Sequence, residues 1–199
     1  MPINLPNKSK ESWQQYISQS QAKDRRGELI HAMEANESAG YDCMECKGCC
    51  CTFANNTMHV TPTEALDLFA DLVKKNWLTK AMRQRLQECI SHHGLDRGDY
   101  YPGSNKRIRR GYTCPFFQYD NWGCAINRYH KPYGCIAFNP REKNQEEGKN
   151  CSSSQDKLLD HEAHWSDFEI YLNEQIQNEF GLHWQKTDIP RALLDIWDK

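Results

Sequence analysis

Apolar residues recur at three- and four-residue spacing in five stretches of the chain, and each stretch reads as a helix. Over residues 9–38 the pattern runs Trp13, Tyr16, Ile17, then Leu29, Ile30 and Met33, with charges between and Gly40 as a stop. Thr57-Met58-His59-Val60 alternates like a short strand. Thr61-Pro62-Thr63-Glu64 then opens a second helix: Thr61 caps, Pro62 occupies the first turn where no N–H is needed, and Glu64 completes a capping box. Behind that start, Ala65, Leu66, Leu68, Phe69, Leu72 and Val73 form a broad apolar face. A third helix near 79–91 carries Met82, Leu86, Cys89 and Ile90 and ends around His92-His93-Gly94. From about 155 to 180 the period returns (Leu158, Leu159, Trp165, Phe168, Tyr171, Leu172, Ile176, Phe180), capped by Gly181. A short last helix runs from Pro190 to Trp197.

Residues 94–152 break this rhythm. They are rich in Gly, Pro, Asn and aromatics, and Ile108, Tyr112, Phe116-Phe117 and Trp122-Gly123-Cys124 predict short strands or a hairpin turning near Asp120-Asn121. Asn144 to Ser154 reads as an exposed polar loop. The expected fold is mainly α with a small irregular, cysteine-rich centre of low β content. It is a single domain over 1–199, with a metal-binding core at 43–151 and flanking helices at 9–38 and 155–197. Irregular backbone of this length needs an external source of order, and metal ligation supplies one.

Composition narrows the function. Hydrophobic residues make up 38% and charged residues 26% of 199, and mean hydropathy is -0.89. No run approaches the roughly 18 apolar residues of a membrane span, and the start of the chain lacks a secretory pattern. A net charge of -2 gives no electrostatic case for nucleic acid or an anionic membrane, and the basic run Lys106 to Arg110 reads as a solvated face. A cytoplasmic location is expected. There thiols stay reduced, so the ten cysteines read as ligands before they read as disulfides.

Cys43-Met44-Glu45-Cys46-Lys47-Gly48-Cys49-Cys50-Cys51 is the strongest signal. Two residues between cysteines let a turn aim both thiolates at one ion, and Gly48 relieves that turn. Cys114, Cys124, Cys135 and Cys151 follow at wide spacing. With Cys43, Cys46, Cys49 and Cys50 they make a candidate set of eight, enough for two four-cysteine sites or one polynuclear site. Adjacent Cys49 and Cys50 do not readily face one ion together, so they divide between sites or one bridges. Zinc ribbons pair both halves, whereas here only one half is paired. The run Cys43-x2-Cys46-x2-Cys49 with a distant Cys114-Pro115 is closer to a ferredoxin ligand run, which favours iron–sulfur over zinc.

These residues resemble the YkgJ-type cysteine-cluster proteins, the CxxCxCC zinc- or iron-chelating domain family. Cys43, Cys46, Cys49 and Cys50 match the cysteines of its C-x2-C-G-x-C-C pattern, with Lys47-Gly48 shifting the glycine by one place. Cys114-Pro115-Phe116-Phe117 is similar to its C-P-F-L, and Gly123-Cys124-Ala125-Ile126 to its G-x-C-x-I-Y. Pro132, Cys135, Phe138 and Pro140 are similar to its R-P-x-x-C-R-x-F-P, and Cys151 takes the place of the last cysteine. Lys131 and Ile136 stand where the family carries Arg, and Asn127 where Tyr is common. Cys51 and Cys89 fall outside the pattern, Cys51 as a spare thiol and Cys89 as a core residue. The resemblance implies metal binding and no defined reaction.

Other motifs carry less. His161-Glu162-Ala163-His164 spaces its histidines at i and i+3 rather than the i and i+4 of zinc proteases, and reads as a partly exposed helix surface. His92-His93 is explained by the dipole of a helix end. His59 and His130 are auxiliary ligand candidates, while Tyr129, Tyr133, Trp122 and Phe116 shield the centre or fill a small core. The expected function is a metal protein with a structural, carrier, sensing or electron-transfer role. The competing readings are a metal-dependent redox or protein-modifying enzyme, and a zinc-stapled module whose outer helices bind a protein partner.

Overall fold

The structure, a computed structural model, describes residues 14–41, 48–97, 103, 108–120, 123–143 and 150–199, and the statements below concern these. Their helices are α1 (Ala22–Ser38), α2 (Pro62–Lys74), α3 (Lys80–His93), α4 (Tyr133–Ile136), α5 (Gln155–Phe180) and α6 (Ile189–Trp197), preceded by helical residues 14–19. Short strands are β1 (His59–Val60), β2 (Phe117–Gln118), β3 (Gly123–Cys124), β4 (Phe138–Pro140), β5 (Cys151–Ser153) and β6 (Thr187–Asp188). The fold is mainly helical with little strand, as the sequence predicts. No described helix is long and apolar enough to cross a membrane.

α2 lies at the centre. Its capping box forms as expected: the Thr61 side chain accepts from the Glu64 amide at 3.2 Å, and Glu64 accepts from the Thr61 amide at 2.9 Å. β1 pairs antiparallel with β6, Val60 opposite Thr187, and this ladder sets the starts of α2 and α6 side by side. The Asp188 carboxylate caps α6 by accepting from the Arg191 amide at 3.1 Å. Leu66, Phe69 and Leu72 of α2 pack with Leu193, Ile196 and Trp197 of α6, Leu86 of α3 and Ile176 of α5 into the main core. Burying one such side chain contributes roughly 1.5–3 kcal/mol, so this face holds the helices together. A smaller core joins Leu29 and Ile30 of α1 to Tyr133, Ile136 and Ala137 around α4.

The other face of α2 is acidic and also buried. Glu64, Asp67 and Asp71 lie at i, i+3 and i+7, one stripe of the helix, and expose 5%, 2% and 4% of their surface. Each must therefore find partners. Arg25 and Arg26 of α1, with no exposed surface, both donate to Asp67; the Arg26 contact is 2.7 Å. Arg25 also donates to Glu169 of α5 at 3.0 Å and to the Tyr133 hydroxyl. Glu64 takes the Tyr133 amide at 2.9 Å. Asp71 takes Lys75 at 2.6 Å and faces His130 at 3.7 Å.

Three expectations are corrected. The stretch 9–38 is not one helix: it breaks at Ser20-Gln21, where Gln21 adopts a left-handed φ of 49° and the Ser20 carbonyl turns to accept Arg25 Nε at 2.5 Å. Residues 9–13 of that stretch lie outside the described residues. The polar segment 144–154 is not all loop, since Cys151–Ser153 forms β5 against β4, with Pro140 opposite Cys151; residues 144–149 are outside the described ones. His161 is not on the surface. It is 5% exposed, with its ring 4.0 Å from that of Tyr133, while His164 is exposed.

Removing the Asp67 carboxylate leaves two buried guanidinium groups without their shared acceptor. Asp67→Ala is expected to destabilise the fold by about 3 kcal/mol or more, read from urea unfolding, and a loss under about 1 kcal/mol would refute the role given to it. A second expectation concerns pH. Burial raises the Glu169 carboxyl from 4.5 to about 7, against the pull of Arg25 and Arg26 and with the push of Glu64 and Asp67; the Tyr133 hydroxyl donates to it. Its folded pKa is the higher one, so its contribution is complete below about 4.5 and is lost as pH rises through about 7. Glu169→Gln keeps an acceptor for Arg25 and Tyr133, and is expected to flatten the stability profile across that window; an unchanged profile would refute the assignment.

Candidate metal centre

Cys43 and Cys46 lie outside the described residues, as does the Cys49 side chain. Gly48 leads into a single 3-10 turn, Cys49–Cys51, with a positive φ of 67°. A Cβ at position 48 would overlap the Phe117 ring, which is itself 4% exposed. Glycine is thus required twice, for the backbone angle and for the approach of the turn to β2.

The turn is held to the next cysteine segment by one backbone bond, from the Cys114 amide to the Cys51 carbonyl at 2.7 Å. Upstream of Cys114, Tyr112 is fully buried: its hydroxyl donates to the Met58 carbonyl at 2.7 Å, and its amide donates to the Asn56 carbonyl at 3.0 Å. Downstream, β2 and β3 form the expected hairpin with Phe117 opposite Cys124; Asn121 and Trp122 at its turn are outside the described residues. Cys135 comes from α4, which follows Pro132 and is carried on the acidic stripe of α2 through Tyr133.

The structure therefore brings thiols from three segments into one electrostatic neighbourhood. The Sγ atoms of Cys50 and Cys51 are 3.9 Å apart. A hydrogen bond with Cys51, followed by burial, pushes the Cys50 thiol up, and Lys131 opposes this. Burial pushes Cys114 up, and the nearby sulfurs of Cys124, Cys135 and Cys89 add to it. Burial, Cys124, Cys50 and Glu64 push Cys135 up, again with Lys131 opposing. Cys135 keeps an exposed face, so solvent softens the effect there. None of the seven described cysteines forms a disulfide.

Cys151 lies half-buried on β5, tied to the α4 end by the bond from the Ser154 amide to the Ala137 carbonyl at 2.9 Å. Of the auxiliary candidates, His59 sits on β1 with Asp188 as its strand partner, and His130 faces the Asp71 carboxylate at 3.7 Å. Tyr133 fills the smaller core, Phe116 the main core, and Tyr129 is exposed. Two residues carry more than their sequence suggests. Cys51, expected to be a spare thiol, supplies the carbonyl that holds Cys114. Lys131 is the cation whose charge opposes the upward push on both Cys50 and Cys135.

Thiols crowded in this way resist ionisation one by one, while a cation among them reverses the balance, because each thiolate then meets positive charge. The donors are sulfur, which suits zinc or iron. In kind they suit such a centre. Among the described residues, no three His, Cys, Asp or Glu side chains converge closely enough to hold an ion. A larger hollow of about 440 Å3 lies between α1 and α5, against Glu28, His31, Lys157 and Asp160, and has no cysteine in its lining.

Compared with protein-family models, with curated proteins and with solved structures, the chain matches none.

Gly48→Ala is expected to cost about 2 kcal/mol or more from overpacking and left-handed strain. Thermal unfolding of the variant measures it, and an unchanged midpoint would show that the turn does not depend on this contact.

Proposed function

We propose that the chain is a metal-binding protein of the YkgJ-type cysteine-cluster kind. Its ligands are Cys43, Cys46, Cys49, Cys50, Cys114, Cys124, Cys135 and Cys151, and it holds zinc or an iron–sulfur cluster in a structural, carrier, sensing or electron-transfer role. The observation that carries this reading is the gathering of Cys50, Cys114, Cys124 and Cys135 from three chain segments, with none in a disulfide. The ion or cluster supplies the positive charge that holds the sulfurs as thiolates. Free thiols in such number fit a reducing compartment, the cytosol. For a protein partner, α5 offers Leu159, Ile170 and Tyr171, exposed by 63%, 57% and 60%.

Elemental analysis and a visible spectrum of anaerobically purified protein test the proposal. Iron with acid-labile sulfide and a broad visible band indicates a cluster, and colourless protein with stoichiometric zinc indicates a structural or carrier site. Protein without metal and with paired thiols refutes it. Cys46→Ser and Cys114→Ser are each expected to lower metal content and unfolding temperature, whereas Cys89→Ser leaves metal content unchanged. Full metal retention in both of the first two variants would remove the ligand assignment.

A further inference from the structure

α5 turns one face inward, where His161, Leu172, Ile176 and Phe180 are buried, and leaves the opposite face to solvent. Leu159, Ala163 and Ile170, at i, i+4 and i+11, fall on one stripe of that outer face, roughly 16 Å long, and all three are exposed. Beside it runs a second stripe of exposed residues at i, i+4, i+11 and i+18: Asp156, Asp160, Asp167 and Glu174. Tyr171 lies on the same side and is also exposed. At the N-terminal end of both stripes opens the hollow of about 440 Å3 between α5 and α1, where Leu29 and Ala32 lie beside Glu28, His31, Lys157 and Asp160.

The charge of this helix is not the charge of the chain. The whole sequence has 25 Lys and Arg against 27 Asp and Glu, whereas in α5 Lys157 is the only Lys or Arg beside seven carboxylates. A helix face adapted only to solvent interleaves the two signs, because like charges one turn apart destabilise it. Core packing accounts for neither Leu159 nor Ile170, exposed as they are. The acidic surround restricts what can cover them. Carboxylates repel a nucleic acid and an anionic bilayer, and a second copy laid face to face would set acid against acid. A basic surface is the complement.

We propose that this face of α5 docks a basic amphipathic helix of a partner protein. The inference rests on α5 as the partner-binding helix and is independent of metal at the cysteines. The partner's apolar residues lie along Leu159, Ala163 and Ile170, three turns against three turns. Its Lys and Arg side chains reach Asp156, Asp160, Asp167 and Glu174. One long side chain enters the hollow, its methylenes against Leu29 and Ala32 and its charge toward Glu28. The exposed carboxylates then govern the choice of partner and the rate of encounter, and the apolar stripe governs how long it stays.

Two synthetic helical peptides of about eighteen residues test the proposal. They share one leucine pattern and carry lysine or glutamate at the polar positions. Full-length protein is titrated into each labelled peptide, and fluorescence anisotropy is read at low and at high salt. The lysine peptide is expected to bind, less tightly as salt rises, and the glutamate peptide is not. Leu159→Ser with Ile170→Ser is expected to lower affinity by about tenfold or more. Asp160→Asn with Asp167→Asn is expected to do so by a similar factor, with a shallower salt dependence. All four positions are exposed, so the unfolding temperature is retained. Glu88→Gln with Asp96→Asn, which removes two exposed carboxylates elsewhere, binds as wild type; an equal loss there would reduce the effect to general attraction and overturn the site. Failure of the lysine peptide to bind, equal binding of both peptides, or wild-type affinity in either α5 variant overturns it as well. So does a dimer in light scattering that the α5 variants dissolve, since the occupant would then be a second copy. Metal content, the measure of the cysteine reading, is expected to be unchanged in every variant, so the two proposals fail separately.

Discussion

Two guanidinium groups without solvent exposure, those of Arg25 and Arg26, share the carboxylate of Asp67, and the cysteine-bearing backbone is positioned through that arrangement. Charges removed from water cost several kcal/mol each unless every donor and acceptor is met. The acidic stripe of α2 therefore dictates what can pack on it: an element arriving there must bring donors. α1 brings the two arginines, the start of α4 brings the Tyr133 amide, and the turn at 127–130 brings the Asn127 amide and His130. A hydrophobic face accepts any apolar partner at some cost in fit. This face accepts one register, because donors must meet carboxylates atom by atom.

The cysteine segments need such outside control because they have little order of their own. β2 and β3 are two residues each, and the turn at Cys49–Cys51 has three. What fixes them is a set of single bonds to the helical body: Cys114 to Cys51, Tyr112 to Met58, and Thr113 to His93 and Cys89. Each is a moderate contribution, about 1 kcal/mol. Together they leave the sulfurs close but not converged among the described residues, an arrangement that ligation would tighten.

The helices were legible in the sequence because their signals are local. Thr61, Pro62 and Glu64 sit within one turn, and Gly94 and Gly181 mark helix ends with left-handed φ of 60° and 59°. The β1–β6 ladder was not legible, since Val60 and Thr187 are separated by most of the chain and neither strand exceeds two residues. The break at Gln21 was hidden because no glycine or proline marks it; the pull of Arg25 on the Ser20 carbonyl makes it. His161 read as surface, and nothing in the sequence marks Arg25 and Arg26 as buried, because charged and polar side chains are rarely so. The facing carboxylates make the burial of Arg25 and Arg26 affordable, and that pairing is tertiary, while His161 packs its ring on Tyr133. At the site, spacing alone put forward the candidate set. The parts played by Cys51 and Lys131 were not: one acts through its backbone, and the other through distance.

Lys131 joins the two halves of the structure. Its carbonyl accepts Arg26 Nε at 2.7 Å, so its backbone belongs to the Asp67 network. Its ammonium opposes the upward push on the Cys50 and Cys135 thiols, so its charge belongs to the centre. An arginine offers a planar fork suited to gripping an anion in two places, whereas a lysine acts as a point charge. At Lys131 the point charge is the part in use, acting on two sulfurs from one position. The buried network holds this residue by its main chain and leaves the side chain to the thiols.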